Sequence, residues 1–178
     1  LRFADPTDAE FICSLRSEPI LNSYLSATSS KIEDQREWLE LYKNREQIGN
    51  EFYFIICCDG EDVGTVRLYD FRTIGNLNSF SWGSWIIRPP RSPGIVTFSA
   101  IMVYELGFDV LGFDRAHFEV LLGNTRVIDF HKRAGAVLEH ELPDRLEFGF
   151  FPSAWATFRQ ASQVQIEHHR ALRQTTIS

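Results

Sequence analysis

This 178-residue chain has little cysteine, no excess of positive charge and no long apolar run. Its three cysteines, Cys13, Cys57 and Cys58, form neither an even disulfide set nor a metal-ligand spacing. Cys57 and Cys58, adjacent in an apolar strand, read as buried thiols, and a reducing, cytoplasmic setting fits. His168 and His169 have no partner at ligand spacing, so no metal is expected and the pair reads as a solvated helix face. The net charge of −6, from 18 basic and 24 acidic side chains, argues against a general nucleic-acid binder. No apolar stretch approaches the ~20 residues of a membrane span, and no signal peptide is visible. Neither nucleic acid nor membrane is therefore an expected partner. Repeats, low-complexity segments and linkers are also missing, so residues 1–178 read as one domain, long enough for a full core. The chain opens at Leu1, not Met, and the native protein is expected to begin a few residues earlier.

What is present is a regular alternation of elements. Leu1–Ala4 reads as a strand, and Asp5-Pro6-Thr7-Asp8 as a helix entry suited to proline and acidic residues. The stripe Ala9, Phe11, Ile12, Leu15 makes a helix that ends before Pro19. Leu21–Ser30 reads as a loop. Ile32 to about Glu46 is a helix burying Ile32, Trp38, Leu39 and Tyr42. Glu51–Cys58 and Asp62–Phe71 are strands joined at Asp59-Gly60, a strong hairpin signal. Thr73–Ser79 reads as a loop, and Phe80–Ile87 as the central strand. A helix from Ile95 to about Phe108 is capped near Gly112. Strand Ala116–Leu122 and helix Asn124–Ala134 follow. Two strands, Ala136–Glu141 and Leu146–Phe151, meet around Pro143-Asp144, before a C-terminal helix over about 153–173.

The chain is organised around Trp82–Gly135. A strand turns through Arg88-Pro89-Pro90-Arg91-Ser92-Pro93-Gly94 into an apolar helix. That arrangement leaves backbone N–H groups at a helix N-terminus, a site for phosphate. Arg88, Arg91, Lys132 and Arg133 make this region basic against the acidic total. A second strand-to-helix unit opens at Gly123-Asn124 and closes at Ala134-Gly135.

Two motifs in that stretch carry a family resemblance. Arg91-Ser92-Pro93-Gly94-Ile95-Val96 resembles the pyrophosphate turn of the GNAT superfamily of acyl-CoA-dependent N-acetyltransferases, written [Arg/Gln]-x-x-Gly-x-[Gly/Ala]. Asn124–Gly135 resembles its second motif: Asn opens a helix, an aromatic follows seven positions later, and Gly closes it. The resemblance implies an α/β (α+β) GNAT fold. Its mixed, mainly antiparallel sheet has six to seven strands, with helices on both faces and, here, an extra C-terminal helix. Departures are Pro93, which has no N–H, Val96 in place of Gly or Ala, and Ala136 where an aromatic is usual.

The resemblance also implies roles. Acetyl-CoA is the co-substrate, held by Ile86, Ile87, Arg88, Arg91, Ser92, Pro93, Gly94, Ile95, Val96, Asn124 and Arg133. The strand near Ser84–Ile87 lends backbone groups to the pantetheine arm and the thioester carbonyl, and Ala116–Leu122 splays away from it. Trp82 and Trp85 read as core. Asn124 contacts the cofactor arm, or caps its helix. His131 stands where the family often carries a Tyr that protonates the leaving thiolate, and a pKa near neutrality would suit that task. A surface histidine is the alternative. The central strand has no carboxylate to act as base. His117 and Glu119 share a strand face and could serve jointly, with Asp70 nearby. Glu119, Asn124 and His131 are thus the candidate catalytic residues.

The expected reaction is N-acetylation of a primary amine by direct attack. The Asn124–Gly135 segment resembles bacterial members acting on nucleotide-linked amino sugars, and also the branch acting on ribosomal-protein N-termini. The amino sugar is the preferred acceptor, and a monomer or homodimer the expected assembly. A degenerate acyl-CoA-binding module without turnover stays open.

Overall fold

The computed structural model describes residues 1–18, 29, 31–90 and 94–175, with side chains up to 163. Apart from Ser29, the expected loop Leu21–Ser30 lies outside the described residues. So do Arg91, Ser92 and Pro93 of the expected phosphate turn, and the side chains of His168 and His169.

The strands are β1 (Arg2–Phe3), β2 (Phe52–Cys58), β3 (Glu61–Ile74), β4 (Leu77–Ile87), β5 (Arg115–Leu121), β6 (Val137–Glu141) and β7 (Arg145–Phe150). The helices are α1 (Ala9–Ser17), α2 (Ile32–Gln47), α3 (Ile95–Tyr104), α4 (Thr125–Ala134) and α5 (Pro152–Thr175). One seven-stranded sheet has the order β1-β2-β3-β4-β5-β7-β6. Every neighbouring pair is antiparallel except β4 with β5. This is the expected mixed sheet.

Strand alternation builds a core on each face. Along β2, Phe54 and Ile56 join the larger core, which holds Phe80, Trp82, Tyr104 and Phe148 beneath α3, α4 and α5. Tyr53 and Ile55 point the other way, against Ile12 of α1 and Leu39 and Tyr42 of α2. At the entry to α1, Asp5 accepts from the Thr7 backbone and Asp8 accepts from the Asp5 backbone, a reciprocal cap. Arg2 joins Asp8 at 2.7 Å to Asp62 at 2.5 Å, tying β1 to the β2–β3 hairpin.

Three expectations change. The loop expected over Thr73–Ser79 is mostly strand: Ile74 pairs with Leu77 and Thr73 with Asn78, leaving a tight turn at Gly75-Asn76. Its polar residues belong to an exposed ladder tip, so polarity there did not mean loop. Cys57 is exposed and Cys58 half-buried where both were expected to be buried, and Cys13 is buried. The register shifts between Ile56 and Cys57 as β2 nears its end, carrying both thiols out of the cores. The long helix also continues beyond Phe108 as a π turn over Glu105–Val110, and Gly112 follows with a left-handed φ of 72°. Among the described residues, no helix is long and apolar enough to cross a membrane, and no group of three or more metal-ligating side chains is found.

Candidate active site

The parallel strands β4 and β5 pair only at Ser79–Arg115, Phe80–Ala116 and Ser81–His117. Beyond Ser81 and His117 they part, as expected for the Ala116–Leu122 strand. A bulge in β4 accompanies the parting. Arg67 pairs with Gly83 and Thr65 with Ile86, so β4 carries an extra residue there. Ser84 in the bulge has a left-handed φ of 47°, and its carbonyl accepts from Thr65 Oγ1 at 2.8 Å. Trp85 Nε1 donates to Ser99 Oγ of α3 at 2.9 Å, and its ring meets Phe130 of α4 at 5.2 Å. Trp82 is buried and Trp85 packs against the same core, as expected.

On this face α4 drives His131 between the two strands. Its ring centroid lies 4.1 Å from Phe118 of β5 and 5.4 Å from Trp82 of β4. His131 is therefore neither a surface residue nor a group that titrates near neutrality. Only 4% of it is exposed, and burial lowers its pKa to about 3. Both expectations are corrected for one reason: no charged partner offsets the loss of water around the imidazolium. Among the described residues its Nδ1 is buried without a hydrogen-bond partner, whereas Trp82 and Tyr104 meet each other edge to face at 5.4 Å within the same core. A buried polar atom is costly to leave unpaired, so the His131 Nδ1 suits a polar group of a ligand.

The described candidate cofactor residues do not all border that gap. Ile86 and Ile87 pair with Thr65 and Gly64 of β3, on the side of β4 away from β5. Gly94 precedes α3 in a left-handed conformation, φ 83°, and a Cβ there would lie 3.1 Å from the Phe98 ring. The turn thus requires the glycine, and Ile95 and Val96 follow in the first turn of α3. Arg88 turns to the opposite face. Its Nη2 donates to Ser14 Oγ at 2.6 Å, and its Nε lies 3.3 Å from Glu18 Oε1, so it ties β4 to α1. Asn124 stands at the start of α4, but its side chain makes no capping bond. Its carbonyl accepts from Val127 and Ile128. Arg133 is exposed in the last turn of α4, about 13 Å along the axis from Asn124.

The opposite face of β4 borders a cavity of about 330 Å³, lined by Arg16, Asp34, Trp38, Tyr53, Arg67 and Ser84 among others. Arg67 Nε donates to Glu51 at 2.5 Å. Glu51, buried at 4% exposure, also accepts from Arg45 at 2.7 Å. The Arg67 guanidinium packs over Trp38 at 5.1 Å and Tyr69 at 4.6 Å. Tyr69 Oη lies 3.2 Å from where a Cβ on Gly83 would stand, so the missing side chain makes room for the phenol. Arg16, Trp38, Arg67 and Tyr69 carry no local motif. Their one sequence signal is the alternation of Arg67 and Tyr69 on a strand, which says nothing of a cavity.

The expected partnership of His117 with Glu119 does not form. Glu119 is exposed and paired with Arg145 at 2.8 Å. His117 is bonded instead to Ser79 at 2.7 Å and to Asp70 at 3.0 Å. Sharing a strand face brought the two side chains to the same side, but neighbouring strands chose their partners.

Comparison with known proteins agrees with this architecture. The profile described as Acetyltransferase (GNAT) domain matches residues 1–137. The apo structure of FdhC, a nucleotide-linked sugar GNAT, superposes with a TM-score of 0.81 at 42% identity, covering 93% of this chain and 91% of that one. Spermidine N-acetyltransferase from Vibrio cholerae, in complex with CoA and spermine, shares the fold at a TM-score of 0.73 and 20% identity, over 87% of this chain and 96% of that one. Spermidine N(1)-acetyltransferase of Escherichia coli K12 is 28% identical over 107 residues, 60% of this chain. That match spans 56% of the E. coli protein, little more than half its length. With the profile covering most of the chain and the parted strands in place, the protein belongs to the GNAT acetyltransferase domain family.

Proposed function

We propose that this protein transfers an acetyl group from acetyl-CoA to a primary amine on a nucleotide-linked amino sugar. The amine attacks directly, in a ternary complex. Acetyl-CoA supplies the thioester as co-substrate. Gly94, Ile95 and Val96 would meet its pyrophosphate through backbone N–H groups. Ser84–Ile87 and Asn124 would line the arm that runs between β4 and β5. The unpartnered Nδ1 of His131, set between Phe118 of β5 and Trp82 of β4, supports this placement. His131, neutral at physiological pH, would act as an N–H hydrogen-bond donor to the departing sulfur and not as an imidazolium.

The observation that carries the choice of acceptor is the charge of the cavity beside Ser84. Among the described lining residues Arg16 and Arg67 face one carboxylate, Asp34. Behind Arg67 the buried Glu51 is shared between Arg67 and Arg45, which leaves one positive charge in excess. A cavity with cationic excess suits a ligand carrying phosphate charge and opposes a polyamine. The 42% identity to a nucleotide-linked sugar GNAT points the same way.

Thiol release tests the reading, measured across nucleotide-linked amino sugars, spermidine and N-terminal peptides. The highest kcat/KM is expected for an amino sugar. A peptide or polyamine that reacts 100-fold better, about 2.7 kcal/mol of transition-state preference, would end it.

A further inference from the structure

A buried hydrogen-bond chain crosses three strands where β4 and β5 begin to part. Ser79 of β4 is fully buried and its Oγ lies 2.7 Å from His117 Nδ1. His117 Nε2 lies 3.0 Å from Asp70 Oδ2 of β3. His117 pairs with Ser81, the last pair before the strands separate. It faces away from His131, on the side of the sheet that carries Arg67 of the cavity wall, because Phe118 beside it points to the other core. Asp70 reaches it only through a bulge in β3. Tyr69 pairs with Ser81 and Arg72 with Ser79, and Asp70 between them has a φ of 52°. Aspartate is among the few non-glycine residues that adopt that conformation, and here it brings the carboxylate to His117.

The trio resembles a nucleophilic triad in composition but not in access. Ser79 has 0% exposure, whereas the Asp70 side chain is 43% exposed. The solvent-facing end of the chain is the carboxylate, whose Oδ2 also lies 3.4 Å from Nε of the exposed Arg72. With Ser79 donating to Nδ1, the Nε2–H of His117 points at Asp70 and fixes it.

We propose that Asp70, held by His117 and Ser79, takes the proton from the attacking amine. This rests on the acetyltransferase reading and supplies the base that the central strand lacks. The acceptor arrives as an ammonium. One proton passes from nitrogen to the Asp70 carboxylate, and from there to solvent. The freed lone pair forms the C–N bond at the thioester carbonyl and the C–S bond breaks. A second proton leaves nitrogen as the thiolate takes one up, so one proton is released per turnover. Asp70 is the catalytic residue; His117 and Ser79 are positioning residues. The charged groups around His117 are Asp70 and Arg72 of β3, with Arg115 and Glu119 on its own strand. Arg115 is committed to Glu139 and Glu119 to Arg145. Burial holds the His117 pKa below its ordinary value, and Asp70 works against that.

The test compares Asp70→Asn, Ser79→Ala and wild type. At pH 7, Asp70→Asn should lower kcat/KM for the acceptor by about 10²-fold or more, with CoA affinity by calorimetry unchanged. The deficit should narrow as pH passes the pKa of the amine, which then arrives deprotonated. Ser79→Ala should lose less, and its ¹⁵N spectrum should show His117 without a fixed Nε2–H tautomer. In Asp70→Asn the His117 pKa read by NMR should fall. A pH-independent deficit, lost CoA affinity or an unmoved His117 pKa would assign the chain to holding the strands together. A wild type that prefers a polyamine or peptide refutes the sugar reading alone, and the Asp70 test then runs with that amine. Absence of turnover with every amine overturns both.

Discussion

Trp82 and Trp85 lie on one face of the same strand with ring centroids 5.1 Å apart, although their spacing would put them on opposite faces of a regular strand. The extra residue in the bulge makes the difference. It turns one tryptophan toward His131 and the other toward Ser99 and Phe130, so β4 shapes both walls of the gap.

Ser84 in that bulge pays a backbone penalty, since its φ of 47° is unfavourable for a residue with a Cβ. Ser84→Gly should therefore leave stability unchanged or raise it by about 1 kcal/mol, with the fold intact. Deleting Ser84 should leave Trp85 on the face of Trp82, since residues two apart share a face of a regular strand, but it removes the bulge beside the parting of β4 and β5 and should lower turnover. Thermal unfolding and tryptophan fluorescence read the two variants.

Gly94 tests the cofactor side. Gly94→Glu forces a side chain into left-handed backbone and against Phe98, and adds negative charge where phosphate is expected. CoA affinity should fall at least tenfold, ~1.4 kcal/mol, with kcat less affected than KM for acetyl-CoA. Unchanged affinity by calorimetry would put the pyrophosphate elsewhere.

His131→Phe keeps the ring but removes the donor, and should lower kcat with little change in CoA binding. No kcat inflection near pH 6.5 should disappear, because the wild-type imidazole is already neutral there. Stability carries the clearer sign. The folded pKa of about 3 lies below the ordinary 6.5, so the unfolded chain binds the extra proton between those values. Stability is therefore full above pH 6.5 and falls as pH drops toward 3, by up to ~1.4 kcal/mol per pH unit. His131→Phe should flatten that slope in denaturant titrations at pH 4 to 7. A slope equal to the wild type's would mean the imidazole is not buried in solution.

Arg16→Gln should raise KM for a nucleotide-linked acceptor about tenfold and leave CoA affinity alone. Arg67→Gln should do the same and also cost about 1.5–3 kcal/mol of stability, because buried Glu51 loses one of its two arginines. Improved use of spermidine by either variant would strengthen the charge argument. Unaltered acceptor kinetics in both would remove the cavity from the acceptor site.

Much of the frame was legible locally. Asp59-Gly60 forms its hairpin, with Cys58 opposite Glu61, because the turn residues alone supply the needed backbone freedom. Gly94 adopts the left-handed turn that its motif required. The long helices follow from apolar spacing, as in α1 with Ile12 and Leu15 buried. Gly75-Asn76 was also a visible turn signal, yet the flanking Thr73 and Asn78 are too polar to read as strand when their only task is to pair at an exposed tip.

The sequence by itself determined element order, the glycine turn before α3 and the Asn124–Gly135 helix, since these depend on contacts within a few residues. Only the tertiary structure decided the chemistry. Burial between Phe118 and Trp82 turned His131 from a titrating group into a neutral one. The pairing of three strands gave His117 to Asp70 in place of Glu119. Arg16 and Arg67 became one cavity wall although 51 positions separate them in the chain. Each of these outcomes depends on desolvation or on distance between residues far apart in the chain, and neither quantity exists until the sheet has closed on its two cores.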